Sequence, residues 1–255
     1  MTEAKPWTGV INALALTATL VVNGLASGLP LNGQTTGQIS NRFDVYFVPA
    51  SYVFSIWGLI YAALIAFVVY SLLPAHRASA AVGRVGLGFV LSCVANIAWI
   101  FCWHYELFEL ALACMLLMLA TLTTVYLRLD VGRAGVSRSE RWCVHAPFSL
   151  YLGWISVATV ANTTQLLDYV AWGRWGIAAE TWMLIILAVV VALAAVVAAQ
   201  RRDLIYLLVL VWALAGIGVK QAAVAVVASG AWVATGLIAL LALFALLRPF
   251  RSRAA

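Results

Sequence analysis

Charge is what this chain has least of: Asp, Glu, Lys and Arg make up 9% of its 255 residues, against about a quarter in a soluble domain. A water-facing surface cannot be built from so little, which excludes a soluble globular protein. The 15 basic residues are scattered through short connections, so no stripe exists to neutralise phosphates, and nucleic acid is excluded as a partner. Cysteine is sparse as well, and Cys93, Cys102, Cys114 and Cys143 show no CxxC spacing, which argues against a thiol redox motif or a zinc knuckle. His76, His104 and His145 fall at predicted helix ends, His104 and His145 on opposite predicted faces of a membrane, so these two cannot share one metal ion. None of the nine acids lies inside an apolar run. Proton pumps and ion-coupled carriers place such groups within the bundle, where burial is costly, so a charge relay is not expected here. Lys220, alone near the end of a seventh run, likewise lacks the counter-ion of a retinal Schiff base.

What is abundant is apolar: 65% of the residues are hydrophobic and the mean hydropathy is +1.03. The expected fold is therefore all-α, a polytopic membrane helix bundle. Apolar windows run over 7–30, 45–75, 85–103, 110–127, 146–167, 181–200, 204–219 and 221–247, most of them near the ~20 residues that a bilayer demands. Lys220 either sits in a tight turn or snorkels from a longer seventh helix ending at Ser229-Gly230, and a seven-crossing reading merges the last two windows. Eight crossings segregate the basic residues better. One side then holds Lys5, Arg77, Arg84, Arg128, Arg133, Arg138, Arg141, Arg201, Arg202, Arg248, Arg251 and Arg253, and the other Arg42, Arg174 and Lys220. By the positive-inside rule both termini are cytoplasmic, and the expected location is a bacterial inner membrane. The first window is too long for the apolar part of a secretion signal and is read as the first helix.

Three windows carry tryptophan beside sparse polar groups. Pro49-Ala50-Ser51-Tyr52-Val53-Phe54-Ser55-Ile56-Trp57 leads to Tyr61, Asn96 lies one turn before Trp99, and Tyr151, Trp154, Ala158, Thr159 and Asn162 share another run. Flat aromatic walls with a few hydrogen-bonding groups suit a large, mostly apolar ligand. The amides and hydroxyls of Asn12, Asn23, Asn96, Asn162, Thr163, Thr164 and Gln165 otherwise serve to join helices.

With these residues in view, 7–165 resembles the TspO/MBR family of tryptophan-rich sensory and translocator proteins. The nearest correspondence is the Tyr-x-x-Trp-x-x-x-Ala-Thr-x-x-Asn spacing, reproduced by Tyr151, Trp154, Ala158, Thr159 and Asn162. The resemblance implies a five-helix core, residues 1–170, with a pocket near one membrane face under a long first connection. It implies pocket residues Pro49, Trp57, Tyr61, Asn96, Trp99, Trp154, Ala158 and Asn162, and a porphyrin or other tetrapyrrole as ligand. Two departures stand out. Phe47-Val48-Pro49 replaces the family's Thr-Pro-Pro, and Ser51 stands where its tryptophan would be. The first connection also lacks the family's Trp-Tyr pair. A permissive cholesterol-contact pattern spans Leu167 to Arg174, although Trp172, Trp175 and Trp182 fit an interfacial aromatic belt better.

Residues 171–255 add about three helices, rich in Ala, Val and Leu, whose Ala213, Ala215, Gly216 and Gly218 permit close helix contact. They are read as packing mass, able to support a homodimer or to dock another membrane protein. The functional expectation is a binding or sensory protein for a tetrapyrrole, or for a sterol- or carotenoid-like molecule. No catalytic residue is assigned, because no acid, base, nucleophile or metal cluster converges in the sequence. Two alternatives stay open: oxidative degradation of porphyrin using the rings of Trp57 and Trp154, and carriage of an apolar metabolite.

Overall fold

Residues 7–29 and 31–247 are described by the computed structural model, and within them the chain is helical with no strand. Eight long helices follow in order: α1 (Thr8–Gly28), α2 (Ile56–Leu72), α3 (Gly88–His104), α4 (Phe108–Leu129), α5 (Ala146–Tyr169), α6 (Ala179–Gln200), α7 (Leu204–Lys220) and α8 (Ala225–Leu247). Six of these, two of them lengthened by the turns before them, are long and apolar enough to cross a membrane; α3 and α7 are shorter apolar helices of 17 residues. An all-α membrane bundle is thus the observed fold. Helix is the form that lets such apolar sequence satisfy its own backbone without water. The seventh and eighth windows are separate, since α7 stops at Lys220 and Ser229-Gly230 lies inside α8. Glu3, Lys5, Arg248, Arg251 and Arg253, used above in reading topology, lie outside the described residues.

The centre of the bundle is α5. Its most apolar window is 78% buried, against 28% for α6, because α5 packs on α2, α4 and α7 at once. Around it α1 packs on α2 and α3, α3 on α4, and α8 on α6 and α7. Helices in lipid gain nothing from hiding apolar surface, so close approach and interhelical hydrogen bonds decide the packing. Gly216 of α7 shows the first: a Cβ there would overlap the Val53 side chain, so the helix can lie against the turn before α2 only as glycine. Hydrogen bonds show the second. Asn23 of α1 donates to Asn96 of α3 at 2.7 Å, and Trp99 of α3 to Asn162 of α5 at 2.9 Å.

The C-terminal helices prove more polar inside than packing mass would be. Asp203 lies at a helix end, as the sequence implies, yet it is only 5% exposed. Its Oδ1 accepts from the backbone N–H groups of Ile205 and Tyr206, capping α7, and its Oδ2 accepts the Ser149 hydroxyl at 2.5 Å. Seven residues along α5, Ser156 accepts the Tyr206 hydroxyl at 3.0 Å. Two serines on one face of α5 therefore hold the start of α7.

The connections on each side of the bundle are tied together. Gly132, at φ +80°, faces the Arg201 carbonyl so closely that a Cβ would run into it, and Arg201 pairs with Asp130 at 2.6 Å. At the other end the α1–α2 connection meets the α3–α4, α5–α6 and α7–α8 connections. The site is built there.

Candidate functional site

Residues 31–55 form a lid. Asn32, with φ +53°, and Gly33, with φ +76°, turn the chain back over the bundle, a left-handed pair that Asn and Gly adopt most readily. Thr35 then caps the short helix Thr36–Ser40 in a reciprocal capping box with Gln38. Its underside is fixed to α3: Asn32 donates to the His104 carbonyl at 3.0 Å, and the Trp103 indole donates to the Thr36 carbonyl at 3.3 Å. His104 is fully buried, with Nδ1 2.8 Å from the Ile100 carbonyl and Nε2 3.4 Å from the Thr36 hydroxyl.

A clasp of three residues closes the outer edge. Glu106 accepts from the Gln34 amide at 3.1 Å and from Arg42 at 2.9 Å. The Gln34 hydrogen bond first, with the Arg42 guanidinium beside it, holds the Glu106 carboxyl below its usual range against the opposing effect of burial. Further along, Gln165 of α5 donates to both the hydroxyl and the carbonyl of Ser40. The second half of the lid is held by the C-terminal helices: Tyr46 donates to Glu180 at 2.7 Å, Gln221 to the Tyr46 carbonyl at 3.1 Å, Lys220 to Asn41 at 3.3 Å, and the Ala50 N–H to the Gly216 carbonyl at 3.1 Å.

Beneath the lid helix lies a cavity of about 420 Å³ between α1, α2 and α3. Trp57, Tyr61 and Trp99 form its aromatic wall. Trp57 and Tyr61 stack with centroids 5.4 Å apart at 26°, and Trp99 stacks on Trp103 at 5.7 Å and 20°. The opposite wall is α1, where Leu20, Asn23, Gly24 and Ser27 recur at helical spacing, and the roof includes Thr35, Thr36 and Asn41. Ser51 also lines the cavity.

The other residues singled out from the sequence stand behind or away from this wall. Trp154 is 2% exposed and meets Trp57 edge-on at 6.3 Å, with its own indole N–H unpaired among the described residues. Asn96 is fully buried; its oxygen accepts from Asn23, and its Nδ2 has no hydrogen-bond partner there. Asn162 holds the Trp99 indole. Pro49 is buried toward Gly216 of α7, and Ala158 is half-buried in the core, neither lining the cavity. Three of the eight residues thus meet in one wall and three more support it.

Sequence reasoning set the first connection over the pocket but passed over the α1 face. Its signal was present in the i, i+3, i+4, i+7 recurrence of Leu20, Asn23, Gly24 and Ser27, but only the fold says which face of α1 turns inward. The polar atoms of the lining belong to amides, hydroxyls, indoles and backbone, all of them able to form hydrogen bonds.

No curated protein and no solved structure shows significant similarity to the chain. A family model described as TSPO-like protein, however, matches residues 9–245. That span runs through all eight helices and so past residue 165, where the resemblance read from the motifs ended. With the aromatic cavity, the lid and this match together, the chain belongs to the family of TSPO-like proteins.

Proposed function

We propose that this integral membrane protein binds and senses a flat apolar ligand beneath its lid, a tetrapyrrole such as a porphyrin being the first choice over a sterol- or carotenoid-like molecule. The observation that carries this reading is the wall of Trp57, Tyr61 and Trp99 around a cavity of about 420 Å³, within the ~300–1,000 Å³ typical of small-molecule sites. Stacked indole and phenol rings offer broad faces to a macrocycle. Asn23, Thr35 and Asn41 offer hydrogen bonds to peripheral polar groups. Residues 1–170 act as the binding core in this reading, and residues 171–255 hold the second half of the lid through Glu180, Gly216, Lys220 and Gln221.

The same reading sets the protein in a bacterial cytoplasmic membrane with its arginine-rich face inward, because the lid face carries only Arg42, Arg174 and Lys220 among the basic residues counted for it. The outer side of α8, where Val233 and Leu240 are exposed, is the surface left for a second copy or another membrane protein.

The test is a tryptophan-fluorescence and absorbance titration of the detergent-solubilised protein with protoporphyrin IX, in the dark and then under illumination. Saturable quenching with an unchanged porphyrin spectrum, weakened in Trp57→Ala and Trp99→Ala, is the expected result. Bleaching of the porphyrin bands that depends on Trp57 and Trp154 would turn the reading toward a degradative enzyme. Absence of quenching would remove the tetrapyrrole.

A further inference from the structure

A second and larger cavity, of about 660 Å³, lies on the other side of the lid's extended segment, between the C-terminal half of α5 and the start of α6. Much of its lining is apolar, with Val160, Leu167, Met183 and Ile186, and the indoles of Trp172 and Trp182 join it. From Thr159 to Asp168 the lining follows α5 for nine residues, about 14 Å of helix rise. This suits an elongated body with one polar end.

The polar groups around it are almost all acceptors. Thr159, Thr163 and Thr164 line the cavity, but each hydroxyl donates to a carbonyl of its own helix, at 2.7, 2.8 and 2.9 Å. Tyr46 spends its proton on Glu180 and the Trp182 indole spends its own on the Arg174 carbonyl. Apart from the Arg174 guanidinium, what remains facing a ligand is lone pairs. Asp44 and Asp168 lie at the exposed end of the lining and take part in no ion pair among the described residues. Arg174 is also in the lining, so two carboxylates face one guanidinium there. The Tyr46 hydroxyl reports the local field: the hydrogen bond to Glu180 first, then burial and the charges of Glu180 and Asp44, push it above the ordinary phenol value. A site of acceptors, carboxylates and indole faces favours a cation that brings its own donors.

We propose that this cavity is a second ligand site, distinct from the one beneath the lid helix, and that it takes amphiphilic cations: an apolar chain or ring system bearing a protonated amine, with the ammonium at Asp44 and Asp168 and the body along α5 and α6. A sterol would fill the apolar part but leave the carboxylates without a partner.

The probe is dansylcadaverine, a primary ammonium on a fluorescent apolar body, read by energy transfer from tryptophan in the full-length protein in dodecylmaltoside. Its N-acetyl derivative keeps the body and loses the charge. Saturable transfer is expected, with the neutral derivative about tenfold weaker, a difference of ~1.4 kcal/mol. Asp44→Asn combined with Asp168→Asn removes this preference while the melting temperature stays put, since both side chains are exposed. Trp57→Ala, which alters the other cavity and removes one donor, changes the amplitude of the transfer and leaves the dissociation constant of the probe unchanged. Competition distinguishes the source of the ammonium. Displacement by dodecylamine alone identifies a free amine, whereas displacement also by a short-chain phosphatidylethanolamine, and not by the matching phosphatidylcholine, identifies a lipid headgroup; both outcomes uphold the site. Equal binding of the two dansyl probes, a preference that survives the double substitution, or no saturable transfer overturns it.

Discussion

The indole N–H of Trp99 is donated to the side-chain oxygen of Asn162 at 2.9 Å, joining the wall of the lid cavity to the central helix of the bundle. Trp99 is 7% exposed and Asn162 7%, so neither group can turn to water if the other is removed. Replacing Asn162 by Leu should lower the stability by about 1–3 kcal/mol, the cost of a buried donor left alone. Porphyrin affinity should fall with it, because Trp99 loses the contact that fixes its plane. Thermal melting and the quenching titration check this, and an unchanged melting temperature would mean that the contact contributes nothing.

Gly216 and Val53 predict a steric coupling. Gly216→Ala places a methyl group on the Val53 side chain and should destabilise by ~1–3 kcal/mol, as overpacking does. Val53→Ala in the same chain should recover part of that loss. A double-mutant cycle in thermal melts measures the coupling; strict additivity would contradict the packing described.

The Ser149 and Asp203 hydrogen bond predicts that α7 is anchored from its first turn. Asp203→Ala removes the cap of α7 and strands the Ser149 hydroxyl, with an expected loss of about 1–3 kcal/mol. Ser149→Ala should also destabilise, since it takes away one of the three donors to a buried carboxylate. Retention of the native melting temperature by both variants would refute the anchor.

Acid should loosen the lid. The Glu106 carboxyl is held below its usual value by Gln34 and Arg42, so the clasp is complete above the ordinary glutamate range of about 4.3 and is lost as pH falls through the lowered value. The protection factors of the lid amides, exchange rates corrected for the intrinsic pH dependence, should therefore fall on acidification below that range. Glu106→Gln should lower protection at neutral pH and flatten its pH dependence. Identical profiles in the two proteins would assign the clasp no role.

How much of this was legible beforehand differs from residue to residue. Trp57, Tyr61 and Trp99 were named with five others because the resemblance implies them and because their rings stand beside sparse polar groups in apolar runs. Pro49 and Ala158 were named with them by the resemblance but do not line the cavity, since a motif records spacing along the chain and not the direction in which a helix is turned. Leu20, Asn23, Gly24 and Ser27 were spaced to share a face, yet nothing local says that this face looks into a cavity. Asp203 was correctly placed at a helix end, but its burial depends on Ser149, which lies 54 residues away in the chain.

By itself the sequence determined the class and the helices, because hydropathy acts on each segment independently of its neighbours. Tertiary structure alone decided that the C-terminal helices grip the lid, that Gly216 is the point of closest approach, and that a second cavity opens between α5 and α6. Those features arise where segments far apart in the chain meet, and in a lipid-embedded bundle the choice of meeting faces rests on small residues and single hydrogen bonds, each too weak a signal to be read before the helices are packed.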